Sequence, residues 1–239
     1  MRRLAMLLGL AVAACSQGHV QTTESAVTGT LPAPAHVVVT DFTLKPEQVK
    51  LDSGIGPQFM AAESGQPASA REMQAARATQ AALAETLTAR LASYGLPVER
   101  LPADAIPPPN TLLVQGQIGA VNEGNRSRRT LIGLGAGKSS IAASAQLYYI
   151  TDPSQPRFVQ SLTGTADSGH KPGAAETMGA GAATDRLATS SAMTAATHAG
   201  AEGRRTDDEA NADRLAEALA RQIGAYAVSQ GWLGASAVH

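Results

Sequence analysis

The stretch Leu112-Leu-Val-Gln-Gly-Gln-Ile-Gly-Ala120, read together with Ile141-Ala-Ala-Ser-Ala-Gln-Leu-Tyr-Tyr149, decides the fold. In the first, Leu112, Val114, Ile118 and Ala120 alternate with Gln115 and Gln117. In the second, Ile141, Ala143, Ala145, Leu147 and Tyr149 keep the same period. Successive side chains of a strand point to opposite faces, so a period of two predicts strands with one apolar and one polar face. Asp152-Pro-Ser-Gln-Pro156 concentrates turn formers and closes a hairpin onto Phe158 to Ala166. Three consecutive strands joined in this way predict an antiparallel meander.

Outward from the meander, the pattern switches to helix on both sides. Leu83, Leu87, Leu91 and Tyr94 recur at steps of four, four and three, which is one helical face. Ser69 with Glu72 has the spacing of a capping box, Gly95 stands where a left-handed C-cap belongs, and Pro97 blocks continuation. Leu215, Leu219, Ile223 and Tyr226 repeat the same steps near the C-terminus. Here Thr206 and Glu209 form the second capping box, with Asp207 and Asp208 placed favourably against the helix dipole. Gly231 ends that helix and Trp232 is positioned to fold back onto it. Each helix has a single apolar face and must therefore cover a sheet.

His36-Val-Val-Val-Thr-Asp-Phe42 reads as the first strand, the loop after it as polar, and 97–101 as a further short strand. The whole order predicts an α/β (α+β) sandwich: a mixed, largely antiparallel sheet with a three-strand meander and two amphipathic helices packed on it. If the first strand–helix–strand unit joins that sheet in parallel, its crossover is right-handed. Residues 36–233 form a single domain. Within it 169–205, rich in Gly, Ala, Ser and Thr, reads as a mobile or weakly helical insertion, and 234–239 is a tail.

The leader gives the address. Arg2 and Arg3 precede mostly apolar residues from Leu4 to Ala14, with Val12-Ala13-Ala14 small before Cys15, the single cysteine. That is the layout of a secretory signal peptide over 1–14, too short to span a bilayer, which takes about 20 apolar residues. Val12-Ala13-Ala14-Cys15 resembles the lipobox of bacterial lipoproteins. The resemblance implies a diacylglyceryl thioether on Cys15, which becomes an N-acylated terminus. With Ser16 rather than Asp next, it also implies sorting to the outer membrane, facing the periplasm. Residues 15–35 hold few large apolar side chains and read as a lipidated flexible tether, reaching about 25 Å as a coil.

Composition narrows function further. Without Arg2 and Arg3 the chain carries 17 basic against 20 acidic residues, with no basic cluster of the kind that grips nucleic acid. One cysteine permits no intramolecular disulfide. The segment Glu123-Gly-Asn-Arg-Ser-Arg-Arg-Thr-Leu-Ile-Gly-Leu-Gly-Ala-Gly-Lys-Ser139 superficially suggests a phosphate-binding loop. The required first glycine falls on Ile132, and a strand pattern rather than a helix follows Ser139, so nucleotide binding is excluded. Arg126, Arg128, Arg129 and Lys138 still bring four cations to a glycine-rich turn, a possible contact for an anion or a partner.

Gly124-Asn125-Arg126, Arg129 and Ile132-Gly-Leu-Gly-Ala-Gly-Lys-Ser139, flanked by strands, resemble an uncharacterised bacterial lipoprotein family, the domain of unknown function DUF4410. The likeness covers roughly Val37 to Ala166 and the last helix. It implies the fold and an envelope location, and no reaction, since the family has no assigned activity. At the level of fold alone the layout is similar to periplasmic domains of curli-secretion and cell-wall-synthase-activating lipoproteins.

No catalytic set assembles. The five histidines (His19, His36, His170, His198 and His239) lack metal-ligand spacing. Ser168-Gly-His-Lys171 has a serine–lysine spacing without the partner motifs of penicillin-binding enzymes. The expectation is therefore a non-enzymatic envelope lipoprotein, without cofactor or metal. It is held to the membrane through Cys15 and binds an envelope protein or anionic envelope component, not nucleic acid or nucleotide. Its alternatives are a subunit of a ring-forming secretion or envelope-assembly complex and, last, a periplasmic hydrolase.

Overall fold

The computed structural model describes residues 18–27, 29–51, 65, 67–123, 138–168 and 207–238. The central sheet is built from β1 (His19–Ser25), β2 (His36–Thr40), β3 (Val49–Lys50), β4 (Val98–Leu101), β5 (Thr111–Asn122), β6 (Ser140–Ile150) and β7 (Arg157–Asp167). Helices α1 (Ala68–Ser93) and α2 (Asp207–Ser229) pack on it. The seven strands run β1-β7-β6-β5-β2-β4, and β3 continues alongside the far end of β5. The meander β5-β6-β7 is antiparallel as its alternation predicts, β2 is parallel to both β4 and β5, and β1 closes the other edge antiparallel to β7. This is an open, mixed α+β sheet with one helical layer.

The alternation in β5 and β6 does what the sequence requires of it. Leu112, Val114 and Ile118 join Ala143, Ala145, Leu147 and Tyr149 in one buried cluster, together with Leu83, Leu87 and Leu91 of α1 and Leu215, Leu219 and Ile223 of α2. Each fully buried Leu or Ile contributes about 1.5–3 kcal/mol. A bulge between Ile118 and Ala120 resets the phase, so Val121 rather than Ala120 turns inward. α2 buries a wider stripe than α1, rich in Ala, because beside the helix contact that both share it lies more closely over the sheet, on β1, β6 and β7. The two helices run side by side in the same direction, with Thr86 donating to Asp213 Oδ1 and Arg90 Nη2 3.1 Å from Glu217 Oε1, one turn further along each.

Both predicted helix stops are present. Gly95 (φ 91°) and Gly231 (φ 76°) adopt the left-handed conformation that a side chain resists. The next amides fold back to the last turns, Leu96 N–H to Leu91 and Trp232 N–H to Ala227. The first predicted start is not as expected. α1 begins at Ala68 after Pro67, and no side chain caps it. The carbonyl of Pro67 accepts the Ala70 and Arg71 amides instead, leaving the Ser69–Glu72 capping box without a task. Thr206 of the second box lies outside the described residues.

The larger correction concerns the tether. Of 15–35, residues 19–25 are the edge strand β1, bonded to β7 from His19 opposite Thr165 to Ser25 opposite Gln160. Residues 29–31 are latched to the end of α2: Gln230 Oε1 accepts the Leu31 amide at 2.7 Å, and Trp232 Nε1 donates to the Leu31 carbonyl at 2.9 Å. An edge strand draws its order from backbone bonds on one side. Five of the seven side chains in β1 can therefore stay exposed and polar after the histidine and Val20. The polar loop after the first strand likewise contains β3, two residues long. Insertion 169–205 and signal peptide 1–14 lie outside the described residues.

Candidate functional site

Of the residues singled out by sequence, Cys15, Arg126, Arg128 and Arg129 lie outside the described residues. Lys138 is described, and its Nζ sits 2.8 Å from Asp167 Oδ2. The neighbouring Ser139 is fully buried and belongs to a polar cluster where β6 begins, β7 ends and α2 starts. Ser168 Oγ accepts the Ser139 amide at 3.2 Å, and Ser139 O accepts the Ser168 amide at 3.0 Å. Asn211, also fully buried, donates from Nδ2 to Ser139 Oγ at 2.9 Å and accepts Arg214 Nη1 at 2.7 Å. Ser139 thus fastens the start of α2 to the sheet, while Lys138 pairs with Asp167 of β7. Buried polar groups cost free energy unless paired, and here the bonds interlock. A strand, β6, follows Ser139, as the alternation from Ile141 predicts.

The serine of the Ser168–Lys171 spacing is 4% exposed and its hydroxyl is engaged with the Ser139 amide, a structural rather than nucleophilic use. His36 Nδ1 lies 3.6 Å from Glu99 Oε1, with both side chains about half exposed. Among the described residues no three His, Cys, Asp or Glu side chains converge as metal ligands. No described helix is long and apolar enough to cross a membrane.

The feature that the residue-by-residue reading misses is the sheet face that no described residue covers. Cross-strand neighbours Thr43, Gln117, Ser144, Thr163 and Gln21 stand abreast in one row, and Gln115, Gln146 and Ser161 form a second. All are amides or hydroxyls, and most are exposed. Two concavities open on this face. One, about 310 Å³, is lined by Gln21, Ser144, Thr163 and His19 among others. The other, about 400 Å³, is lined by Thr40, Asp41, Gln115, Gln117 and Gln146. Thr163 Oγ1 has no hydrogen-bond partner among the described residues. Next to these rows Tyr148 and Phe158 pair edge to face, 5.6 Å between centroids. Each Gln offers two donors and an acceptor and each hydroxyl both, so the surface can recognise polar groups without fixed charge. The signal was present in the sequence, as the polar phase of the alternation in β5 and β6.

The edges of this sheet are blunted. β4 is four residues long, and its Arg100 is held by Asp41 at 2.6 Å and approached by Glu85 at 3.6 Å. β1 carries a register break between Thr22 and Glu24. Short, charged and irregular edges resist further strand pairing.

No curated protein matches the chain. Among solved structures, the PelC dodecamer from Paraburkholderia phytofirmans in space group P6 is similar at 16% identity and a TM-score of 0.31, covering 63% of this chain and 81% of that chain. A single-substitution variant of that dodecamer in space group C2 is similar at 14% identity and a TM-score of 0.35, covering 85% of this chain and 95% of that chain. The family model for the domain of unknown function DUF4410 matches residues 37–184, from the first strand of the parallel pair through the whole meander, and the chain belongs to that family.

Proposed function

We propose that this chain is a lipid-anchored lipoprotein of the outer membrane that faces the periplasm and works as a non-catalytic binding or assembly module. The leader and the placement of Cys15 support the anchor. The observation that carries the binding role is the sheet face that no described residue covers, whose row of amides and hydroxyls crosses four strands from Gln117 to Gln21, with Thr43 bridged to Gln117 at one end. A largely antiparallel sheet packs one face on its core and can leave the other to water or to a partner. Here the polar phase is kept over three long strands, with two concavities upon it. The partner it suits is an envelope component presenting hydroxyl or amide groups. Arg126, Arg128 and Arg129 are assigned to a second contact, with an anionic group of the envelope or of the partner.

In-cell photocrosslinking tests the role. A photoreactive residue at Gln117 is expected to give a discrete higher-mass adduct, whereas one at Arg221, exposed on α2, gives none. Equal yields at both positions, or none at Gln117, would overturn the assignment of this face.

A further inference from the structure

We infer that the end of the sheet where β5 finishes, β6 begins and β7 finishes is pressed against the lipid bilayer, with no flexible spacer between them. The inference rests on the anchoring of Cys15 proposed above and deepens it. β1 runs antiparallel to β7, so its first residue lies at the end where β7 stops. His19 is opposite Thr165 and Thr165 is opposite Ala142, two residues short of the row Asp167, Ser140 and Asn122. Gly18 is fixed as well as His19, because a Cβ there would come within 2.4 Å of the Arg214 carbonyl oxygen in α2. The chain is therefore held in place at residue 18. Cys15 is three residues away, at most about 11 Å in a fully extended chain.

That distance leaves no room for a long tether. The row Asn122–Ser140–Asp167 lies only about 7 Å beyond His19 along the strands. An acylated Cys15 consequently brings Lys50, Asn122 and Lys138, all exposed at this end, to the level of the phospholipid headgroups. The β6–β7 turn at Asp152–Pro156 stands at the opposite end, about 34 Å further out by the length of β6. The described ends from which 52–64, 124–137 and 169–206 depart also lie on the bilayer side. The bilayer thus takes the end of the sheet, and its uncovered face stands across the membrane plane, free for a partner.

The test uses the acylated full-length protein on vesicles of phosphatidylcholine and phosphatidylglycerol that contain a nickel-chelating lipid as short-range quencher. A thioether on Cys15 leaves no free thiol, so a dye attached to Asn122→Cys, Lys50→Cys or Gln155→Cys reports one position. Quenching at Asn122→Cys and Lys50→Cys is expected to be at least twofold stronger than at Gln155→Cys, with thermal melting of each variant checked against the parent. Equal quenching at the two ends, or stronger quenching at Gln155→Cys, with an intact mass showing acylated Cys15, overturns the orientation and spares the anchor. A parent protein that itself takes up dye on Cys15 overturns both.

Discussion

Gly116 shows how tightly single residues are specified. It sits in mid-β5 with its missing side chain facing the core, where a Cβ would meet Ser144 O at 2.3 Å and Phe42 Cε1 at 2.4 Å. Phe42, fully buried, occupies the space that glycine leaves. Gly116→Ala is expected to destabilise by at least about 1–3 kcal/mol, the cost of overpacking. Shrinking the ring in Gly116→Ala with Phe42→Leu recovers only part, because Ser144 O belongs to the backbone of β6 and cannot yield. Leu83→Ala, at a fully buried position facing the sheet, is expected to cost about 2–5 kcal/mol. Urea unfolding of the three variants checks both values. Tyr226 is a second kind of specified residue. Its hydroxyl is buried without a hydrogen-bond partner among the described residues, and desolvation raises its pKa, only partly offset by the charge of Arg157. Both folded and unfolded chains hold this proton below the ordinary phenol value of about 10. Above it the unfolded chain releases the proton first, so stability falls as pH rises from there through the folded value. Tyr149, raised by burial too, acts in the same direction. Melting temperature should decline above about pH 10, and less steeply in Tyr226→Phe; equal slopes would show that the phenol is not responsible.

At the scale of elements, what could be read from the sequence follows the strength of the burial pattern. The meander, both helical faces and the glycine stops are legible, because Leu112 to Tyr149 and Leu83 to Tyr226 repeat periods that only strand or helix can satisfy. β1 is not legible, since only Val20 of its seven residues packs against the core and the remainder of its order comes from β7 backbone. The Ser69–Glu72 box misled because the helix already starts at Ala68, which puts Ser69 inside its first turn rather than at the cap. The structural use of Ser139 is not legible either, because it depends on the arrival of α2 with Asn211. The latch between α2 and residues 29–31 is equally non-local. Trp232 stacks edge to face with Tyr226 and lies 6.5 Å from Tyr149 while its Nε1 holds the Leu31 carbonyl. Trp232→Ala is expected to cost about 2–3 kcal/mol, below the figure for a fully buried Trp. Hydrogen exchange should rise at residues 29–31 before it rises in α1. Trp232→Phe should keep most of the stability and still release the Leu31 carbonyl, while Gln230 keeps the Leu31 amide.

For the whole molecule, the two layers divide the work. The helical layer shields the apolar face, with Leu83, Leu87 and Leu91 on one side and Leu215, Leu219 and Ile223 on the other. The second face keeps its polar phase, and the buried cluster of Ser139, Ser168, Asn211 and Arg214 ties the layers together at the end assigned to the membrane. The contacts that complete the body span almost the entire chain: Thr23 bonds to Ser161, and Leu31 bonds to Gln230 and Trp232, 199 and 201 positions apart. Such long-range closure makes folding slow compared with local helix formation. The earliest strand, β1, must wait for β7, and residues 29–31 must wait for Gln230 and Trp232, before they are secured. A nascent chain of this design stays threadable until its last helix has emerged, which accords with the export proposed for it.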